Sequence, residues 1–95
     1  MNPRKSDWWM EQTDERILEF LDDVGWATPH IMARERGFDA TEGRIGDRCE
    51  RLVYAGFITP LHRKTYEITQ WGRLYLQGEI DAEHQPTPTK ERALR

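Results

Sequence analysis

The sequence predicts a small α+β domain that is mostly helical. Three observations support this: the chain has 95 residues, apolar residues recur at helical spacing as far as Tyr54, and a shorter alternating pattern follows Gly56. We therefore expect one domain at 13–80, preceded by a polar leader at 1–12 and followed by a disordered tail at 81–95. The expected order is helix, helix, helix, two-stranded hairpin, helix.

The first helix is predicted to begin at Thr13, a good N-cap residue. Acidic residues follow in its first turn, where the helix dipole favours negative charge. Its apolar face has helical spacing and consists of Ile17, Leu18, Leu21 and Val24. Gly25 is expected to end the helix in a left-handed cap.

The second helix is short and follows at once. Thr28 is its expected N-cap, and Pro29 occupies the first helical position, where a missing N–H costs nothing. The third helix is capped by Asp39 or Thr41 and runs to about Tyr54. Its apolar stripe consists of Ile45, Cys49, Leu52 and Val53.

The periodicity then changes from helical to alternating. Two short strands are predicted at 57–58 and 66–68, separated by a loop at 59–65. Thr69 is the expected N-cap of a last helix, which Gly78 ends.

This order of elements is the organisation of a winged helix-turn-helix. The second and third helices form the helix-turn-helix, and the hairpin forms the wing. A helix fits the DNA major groove, while a cationic hairpin tip reaches the adjacent backbone. Many small α+β domains share this order, so the order of elements alone does not establish DNA binding.

The charge distribution permits this function although the net charge is −3. Residues 1–33 carry a charge of −4, residues 34–64 carry +2, and residues 65–95 carry −1. The positive segment is the one that holds the third helix and the hairpin tip. The total charge therefore does not exclude DNA as a partner.

Three arginines of the third helix are candidate DNA ligands. Arg44, Arg48 and Arg51 have i, i+4, i+7 spacing and form a stripe beside the apolar one. Arginine binds guanine bidentately or clamps a phosphate. The alternative is a solvated face, on which Arg48 pairs with carboxylates near Glu50 or on the first helix.

Two acidic residues, Glu42 and Asp47, lie near the same outward face. They repel phosphates, which counts against tight binding. They could accept hydrogen bonds from cytosine amino groups or hold the arginines in place.

The hairpin tip and the start of the second helix are further candidate DNA ligands. His62, Arg63 and Lys64 form a cationic tip where a short turn would usually use Gly or Asn. This favours a phosphate contact, although exposed basic loops are common. Thr28 and His30 open the second helix, whose backbone N–H groups can approach a phosphate. A plain surface histidine is the alternative for His30.

Several functional classes have no support in the sequence. It has no nucleophile elbow, phosphate-binding glycine loop or metal-ligand spacing, so we expect no enzyme, cofactor, metal or small-molecule ligand. The single Cys49 is expected to be a small buried hydrophobe. No apolar run is long enough to span a membrane, and no secretory signal is visible, so we expect a cytoplasmic protein.

The sequence resembles the haloarchaeal winged-helix regulators that are similar to the phage phi-H repressor. The resemblance covers about residues 8–82. The segments that carry it are Trp9-Met10, Asp14 to Leu21, Gly25, Pro29, Arg48-Cys49, Leu52, Gly56-Phe57-Ile58, Pro60-Leu61, Tyr66 to Thr69, Gly72-Arg73, Tyr75-Leu76 and Gly78-Glu79.

The resemblance implies a DNA-binding transcriptional regulator, a repressor, that acts as a dimer on a palindromic double-stranded site. By position, it places Thr41, Arg44 and Arg48 on a recognition helix at about 41–54, and the basic tip 62–64 on the wing.

The chain departs from the pattern of this family in its wing and in its recognition helix. A Gly-Asn-Gly-like turn is replaced by the basic tip 62–64, and the helix contains Gly43, Gly46 and Asp47. The residues in the helix favour an alternative function, a winged-helix protein-interaction module with weak or no DNA binding.

Aromatic residues near both ends of the domain predict a homodimer. Exposed apolar pairs such as Trp8-Trp9 mark interfaces, although they can also cover the core of their own domain. The expected interface consists of Trp8, Trp9, Trp71, Leu74 and Tyr75.

Overall fold

The predicted winged-helix order is confirmed in a computed structural model, which describes residues 3–86. The elements are α1 (Gln12–Val24), α2 (Pro29–Ala33), α3 (Glu42–Tyr54), β1 (Ile58–His62), β2 (Thr65–Ile68), α4 (Gln70–Leu76) and a 3-10 turn (Ala82–His84). Strands β1 and β2 form an antiparallel sheet.

The first helix begins earlier than predicted. Its N-cap is Glu11 and not Thr13, and the Glu11 N–H donates to the Asp14 carboxylate at 2.9 Å. The Asp14 carboxylate thus satisfies the N–H of the cap residue itself, and the helix begins without Thr13 as its cap. At the other end Gly25 has a positive φ of 96°, as a left-handed cap requires.

Each of the other three α-helices begins with a threonine cap, as predicted. The side-chain oxygens of Thr28, Thr41 and Thr69 each accept from a backbone N–H three residues later, at 3.1 Å. The alternative cap of α3, Asp39, is not used. These caps fix where α2 and α3 start, and so fix the geometry of the helix-turn-helix.

The hydrophobic core is centred on Phe57, which directly precedes the wing. Its ring stacks on Trp9 at a centroid distance of 6.5 Å and packs on Tyr75 at 5.1 Å. The apolar faces of α1 and α3 complete the core with Ile17, Leu18, Leu21, Ile45, Cys49 and Leu52. Val24, predicted on the apolar face of α1, is instead 46% exposed at the helix end.

Cys49 is fully buried and behaves as the predicted small apolar residue. Burial, together with the nearby charges of Asp14 and Glu50, raises the pKa of its thiol to about 12. The thiol therefore stays protonated at neutral pH and is a poor nucleophile.

The predicted leader and the start of the predicted tail are both packed on the domain. The Arg4 guanidinium bonds to Glu15 and Glu19 of α1 and to the Leu76 carbonyl of α4. Lys5 pairs with Asp81 in a short parallel bridge. The folded unit thus extends beyond the predicted 13–80, because both flanks find backbone and side-chain partners on it. The rest of the predicted tail, 87–95, lies outside the described residues.

The wing is longer and its turn tighter than predicted. Instead of a loop at 59–65, the strands continue to a two-residue turn at Arg63 and Lys64, with φ of 41° and 62°. Positive φ at both positions matches the right-handed twist of a hairpin. Pro60 fits in β1 because the pairing is irregular between it and His62.

A backbone bridge places the helix-turn-helix beside the wing. The N–H of Ala27 donates to the Tyr66 carbonyl at 3.1 Å, and the Tyr66 N–H donates to the Ala27 carbonyl at 2.9 Å. The residue that follows Ala27 is the N-cap of α2. The start of α2 is therefore held against β2.

The first turn of α4 lies directly on the core. A Cβ at Gly72 would overlap the Phe57 carbonyl oxygen and lie 2.6 Å from Ile68 Cγ1. The Thr69 hydroxyl donates to the Gly56 carbonyl at 2.6 Å, which draws the same turn inward. Only glycine permits this approach.

We predict that Gly72→Ala lowers the free energy of unfolding by about 3 kcal/mol or more, because the backbone contact cannot relax. The matched control is Gly43→Ala, since nothing lies within 4 Å of a Cβ there. This control should gain about 1 kcal/mol from helix propensity. Urea unfolding followed by circular dichroism measures both, and equal effects would contradict the packing described for Gly72.

Candidate nucleic-acid interface

The start of α2, the outer face of α3 and the wing surround one open cleft. It encloses about 580 Å³. Its lining residues are Thr28, Pro29 and His30 from α2, Glu42, Gly43, Gly46, Asp47 and Glu50 from α3, and Arg63, Lys64 and Tyr66 from the wing. Four of the nine residues predicted to bind DNA, Thr28, His30, Arg63 and Lys64, thus border this surface, which is concave between a helix and a hairpin.

The wing tip supplies two cations that have no ion pair among the described residues. His62, Arg63 and Lys64 are all exposed. Within residues 3–86, neither Arg63 nor Lys64 has an ion pair. The tight turn holds both side chains at the rim of the cleft, where they are available to an anionic partner.

Arg44 is also exposed, but it already has a partner. Its guanidinium donates to the Glu11 carboxylate at 2.5 Å, and Asp47 lies 3.8 Å from it. The side chain remains 45% exposed. An exposed pair of this kind contributes little to stability, so Arg44 can exchange Glu11 for another anion.

Arg51 is less accessible than predicted. It pairs with the Asp47 carboxylate at 2.7 Å and donates to the Asp47 carbonyl at 3.2 Å, with its side chain only 16% exposed. Asp47 thus holds an arginine in place, which is one of the roles expected for it.

The prediction that Arg48 contacts DNA is wrong, because its side chain is buried inside the domain. Its Nε donates to Asp14 Oδ1 at 2.8 Å, and its Nη2 donates to Asp14 Oδ2 at 2.7 Å and to the Trp9 carbonyl at 2.8 Å. Glu11 lies 3.2 Å away. The alternative pairing with a first-helix carboxylate is the correct one, although the pair is buried and not solvated.

Asp14 is a structural residue that the sequence reasoning missed. Its side chain is fully buried and accepts three hydrogen bonds, two from Arg48 and one from the Glu11 N–H. Burial alone lowers the pKa of Arg48, but the bonds to Asp14 and its charge outweigh this, and the pKa is raised. A signal was present, because Arg48 lies within the i, i+3, i+4, i+7 stripe whose other members are Ile45, Cys49 and Leu52.

The helix-start residues lie at the surface and have local partners. The Thr28 and Thr41 hydroxyls cap α2 and α3, yet each can still donate its own hydrogen. His30 Nδ1 lies 2.9 Å from Glu42 Oε1, a contact that joins the starts of the two helices.

The outward face of α3 is partly acidic. Gly43, Asp47, Glu50 and Tyr54 have i, i+4, i+7, i+11 spacing, opposite the buried stripe. Together with Glu42, these carboxylates interrupt the positive charge of the cleft. Glu50 was not among the predicted site residues, although its spacing from Asp47 places it on this face.

The predicted dimer residues divide into accessible and buried ones. The accessible ones are Trp8 at 79% exposure, Trp71 at 52% and Leu74, which is half-buried. Trp9 and Tyr75 were wrongly predicted at an interface, because they pack in the core of their own domain. The Tyr75 hydroxyl donates to the Glu15 carboxylate, and burial and this bond raise its pKa.

Within the described residues, no three side chains of the His, Cys, Asp or Glu type come close enough together to hold a metal ion. Over the same residues, every helix is too short or too polar to cross a membrane.

A family model of the winged helix-turn-helix phage repressor matches residues 1–86. The match spans nearly the whole chain, and the chain belongs to this family. The fold of the family is a DNA-binding fold of regulators and not that of an enzyme family.

A solved structure gives a second comparison. The chain is similar to the PhiH1 repressor-like protein from Haloarcula marismortui, with a TM-score of 0.87 and 28% sequence identity. The match covers 93% of this chain and 100% of that chain. No curated protein matches. The resemblance to haloarchaeal winged-helix regulators is therefore confirmed.

We predict that Arg48→Met lowers the free energy of unfolding by about 3–5 kcal/mol, because Asp14 then stays buried without a counter-charge. The double variant Asp14→Leu/Arg48→Met should recover most of this loss, since no buried charge remains. Urea titration measures all three proteins.

The matched control for this experiment is Arg16→Met. Arg16 pairs with Glu19 at 3.5 Å and is 49% exposed, so its loss should cost about 0.5 kcal/mol or less. A loss for Arg48→Met no larger than that of the control would show that the buried pair does not stabilise the domain.

Proposed function

We propose that this protein is a sequence-specific double-stranded DNA-binding transcriptional repressor that acts in the cytoplasm. Helix α3 enters the major groove, and the wing tip contacts the adjacent phosphate backbone. The observation that carries this proposal is that the outer face of α3 borders the same cleft as Arg63 and Lys64, two cations without an ion pair in residues 3–86. Membership of the phage repressor family supports it.

Each remaining candidate residue has a role that its surroundings allow. Arg44 leaves Glu11 and binds a guanine or a phosphate, because its pair is exposed and exchangeable. Thr41 donates to the DNA from the start of α3. Thr28 and His30, which line the cleft, approach a phosphate from the start of α2. Arg51 contacts a phosphate at the edge of the groove.

A second candidate function is the winged-helix protein-interaction module. The observation that favours it is the interruption of the positive face by Glu42, Asp47 and Glu50. The two functions differ in how affinity depends on salt. DNA binding releases counterions from each phosphate that the protein contacts. The slope of log K against log salt is therefore about −0.9 per phosphate contact.

We predict that Arg63→Asn/Lys64→Gly separates stability from DNA binding. Asn and Gly suit positive φ at these turn positions. The free energy of unfolding should therefore increase by about 1 kcal/mol, and the melting temperature should rise with it. The slope of log K against log salt should become less negative by about 1.8, because two phosphate contacts are lost. Fluorescence anisotropy on a duplex selected from a random pool measures the slope.

The matched control is Lys5→Gln/Arg73→Gln, which also removes two surface cations but lies away from the cleft. Its slope should equal that of the wild type. An unchanged slope for the wing variant, with DNA still bound, would remove the wing from the interface. Absence of salt-dependent DNA binding in the wild type would favour the protein-interaction module.

We also propose that the repressor acts as a homodimer on a palindromic site. The support is that Trp8 and Trp71 are both exposed. Their chain neighbours Trp9 and Gly72 both pack on the core residue Phe57. Large exposed aromatic side chains are typical anchors of protein interfaces.

We predict that Trp8→Ala/Trp71→Ala raises the dimer dissociation constant at least about tenfold, because buried tryptophans dominate interface energies. Sedimentation velocity over a concentration series measures this constant. Trp26→Ala is the matched control, since Trp26 is 57% exposed beside the bridge to the wing. A wild-type monomer at high concentration would contradict the homodimer.

A further inference from the structure

Glu50 is an exposed carboxylate on the cleft-facing side of α3. It borders the cleft together with the wing residue Tyr66. Within residues 3–86, no hydrogen bond or ion pair engages its side chain. The other two carboxylates of this face are occupied, since Asp47 holds Arg51 and Glu42 contacts His30.

The shape of α3 allows this carboxylate to come close to a flat or grooved partner. Gly43 lies two turns before Glu50 on the same face and has nothing within 4 Å of its Cβ position. The fold therefore does not require glycine there. The missing side chain lets the helix approach its partner more closely at this end of the stripe.

The charge of Glu50 restricts what it can contact in DNA. Phosphates repel a carboxylate, and in the major groove only the exocyclic amino groups of cytosine and adenine donate hydrogen bonds. The adenine N6 amino group lies between two acceptors, adenine N7 and thymine O4, which also repel a carboxylate. The cytosine N4 amino group has an acceptor on one side only, so cytosine is the more favourable partner.

We propose that Glu50 is a specificity-determining residue, whose carboxylate accepts a hydrogen bond from cytosine N4 in the major groove. The inference rests on the proposed DNA-binding function and adds to it a base and the residue that reads it. Glu50 contributes selectivity and not affinity, because its charge opposes binding to every sequence that lacks this donor.

The test is selection of bound duplexes from a random pool by the full chain at a fixed salt concentration. The wild type should enrich sequences with cytosine at one position of each half-site. Glu50→Ala should lose the preference at that position. Glu50→Gln should shift the preference towards adenine, because the amide NH2 donates to adenine N7 while the amide oxygen accepts from adenine N6. Replacing that cytosine should weaken wild-type binding about tenfold and leave Glu50→Ala unchanged.

Glu79→Gln is the matched control. It removes one exposed carboxylate near the end of α4, beside Arg4 and Arg73 and away from the cleft. Its enriched sequences should equal those of the wild type. If Glu50→Ala and Glu50→Gln also enrich the wild-type sequences, the inference is overturned while DNA binding stands. If the wild type enriches no sequence, both the proposed function and this inference are overturned.

Discussion

The buried ion pair between Asp14 and Arg48 is the constraint on which the rest of the structure depends. It joins α1 to α3 and, through the Trp9 carbonyl, ties the N-terminal segment to both. A charge removed from water is costly unless it is paired and fully hydrogen-bonded. Three hydrogen bonds and the nearby Glu11 carboxylate fix the guanidinium, so α3 is held at one rotation about its axis. That rotation determines which residues α3 turns outward.

The outward face of α3 is consequently different from that of a simple cationic recognition helix. With Arg48 inside, Arg44 and Arg51 remain, and each is held by a carboxylate. Most of the unpaired positive charge near the cleft comes from the wing, at Arg63 and Lys64. In the proposed function, attraction to the backbone and selection among bases therefore belong to different elements, the wing and α3. Such a division would let a weakly acidic chain use a DNA-binding fold.

Local signals predicted the elements well and their surroundings poorly. The threonine caps of α2, α3 and α4 were correct because a cap depends on residues within one turn. The wing turn was predicted too long, since Arg63 and Lys64 take positive φ without the usual Gly or Asn. The sequence misassigned Arg48, Trp9 and Tyr75, because the type of a polar or aromatic residue does not indicate whether it has a partner inside the domain.

The sequence by itself determined the order of the elements, the starts of three helices and the site of the hairpin, because periodicity and capping act over a few residues. It also determined that the middle of the chain carries the positive charge. Only the tertiary structure decided which charges face the cleft. Asp14 and Arg48 are 34 positions apart, and their pairing depends on how α1 packs against α3. Burial and pairing between distant residues convert a candidate DNA ligand into a core residue.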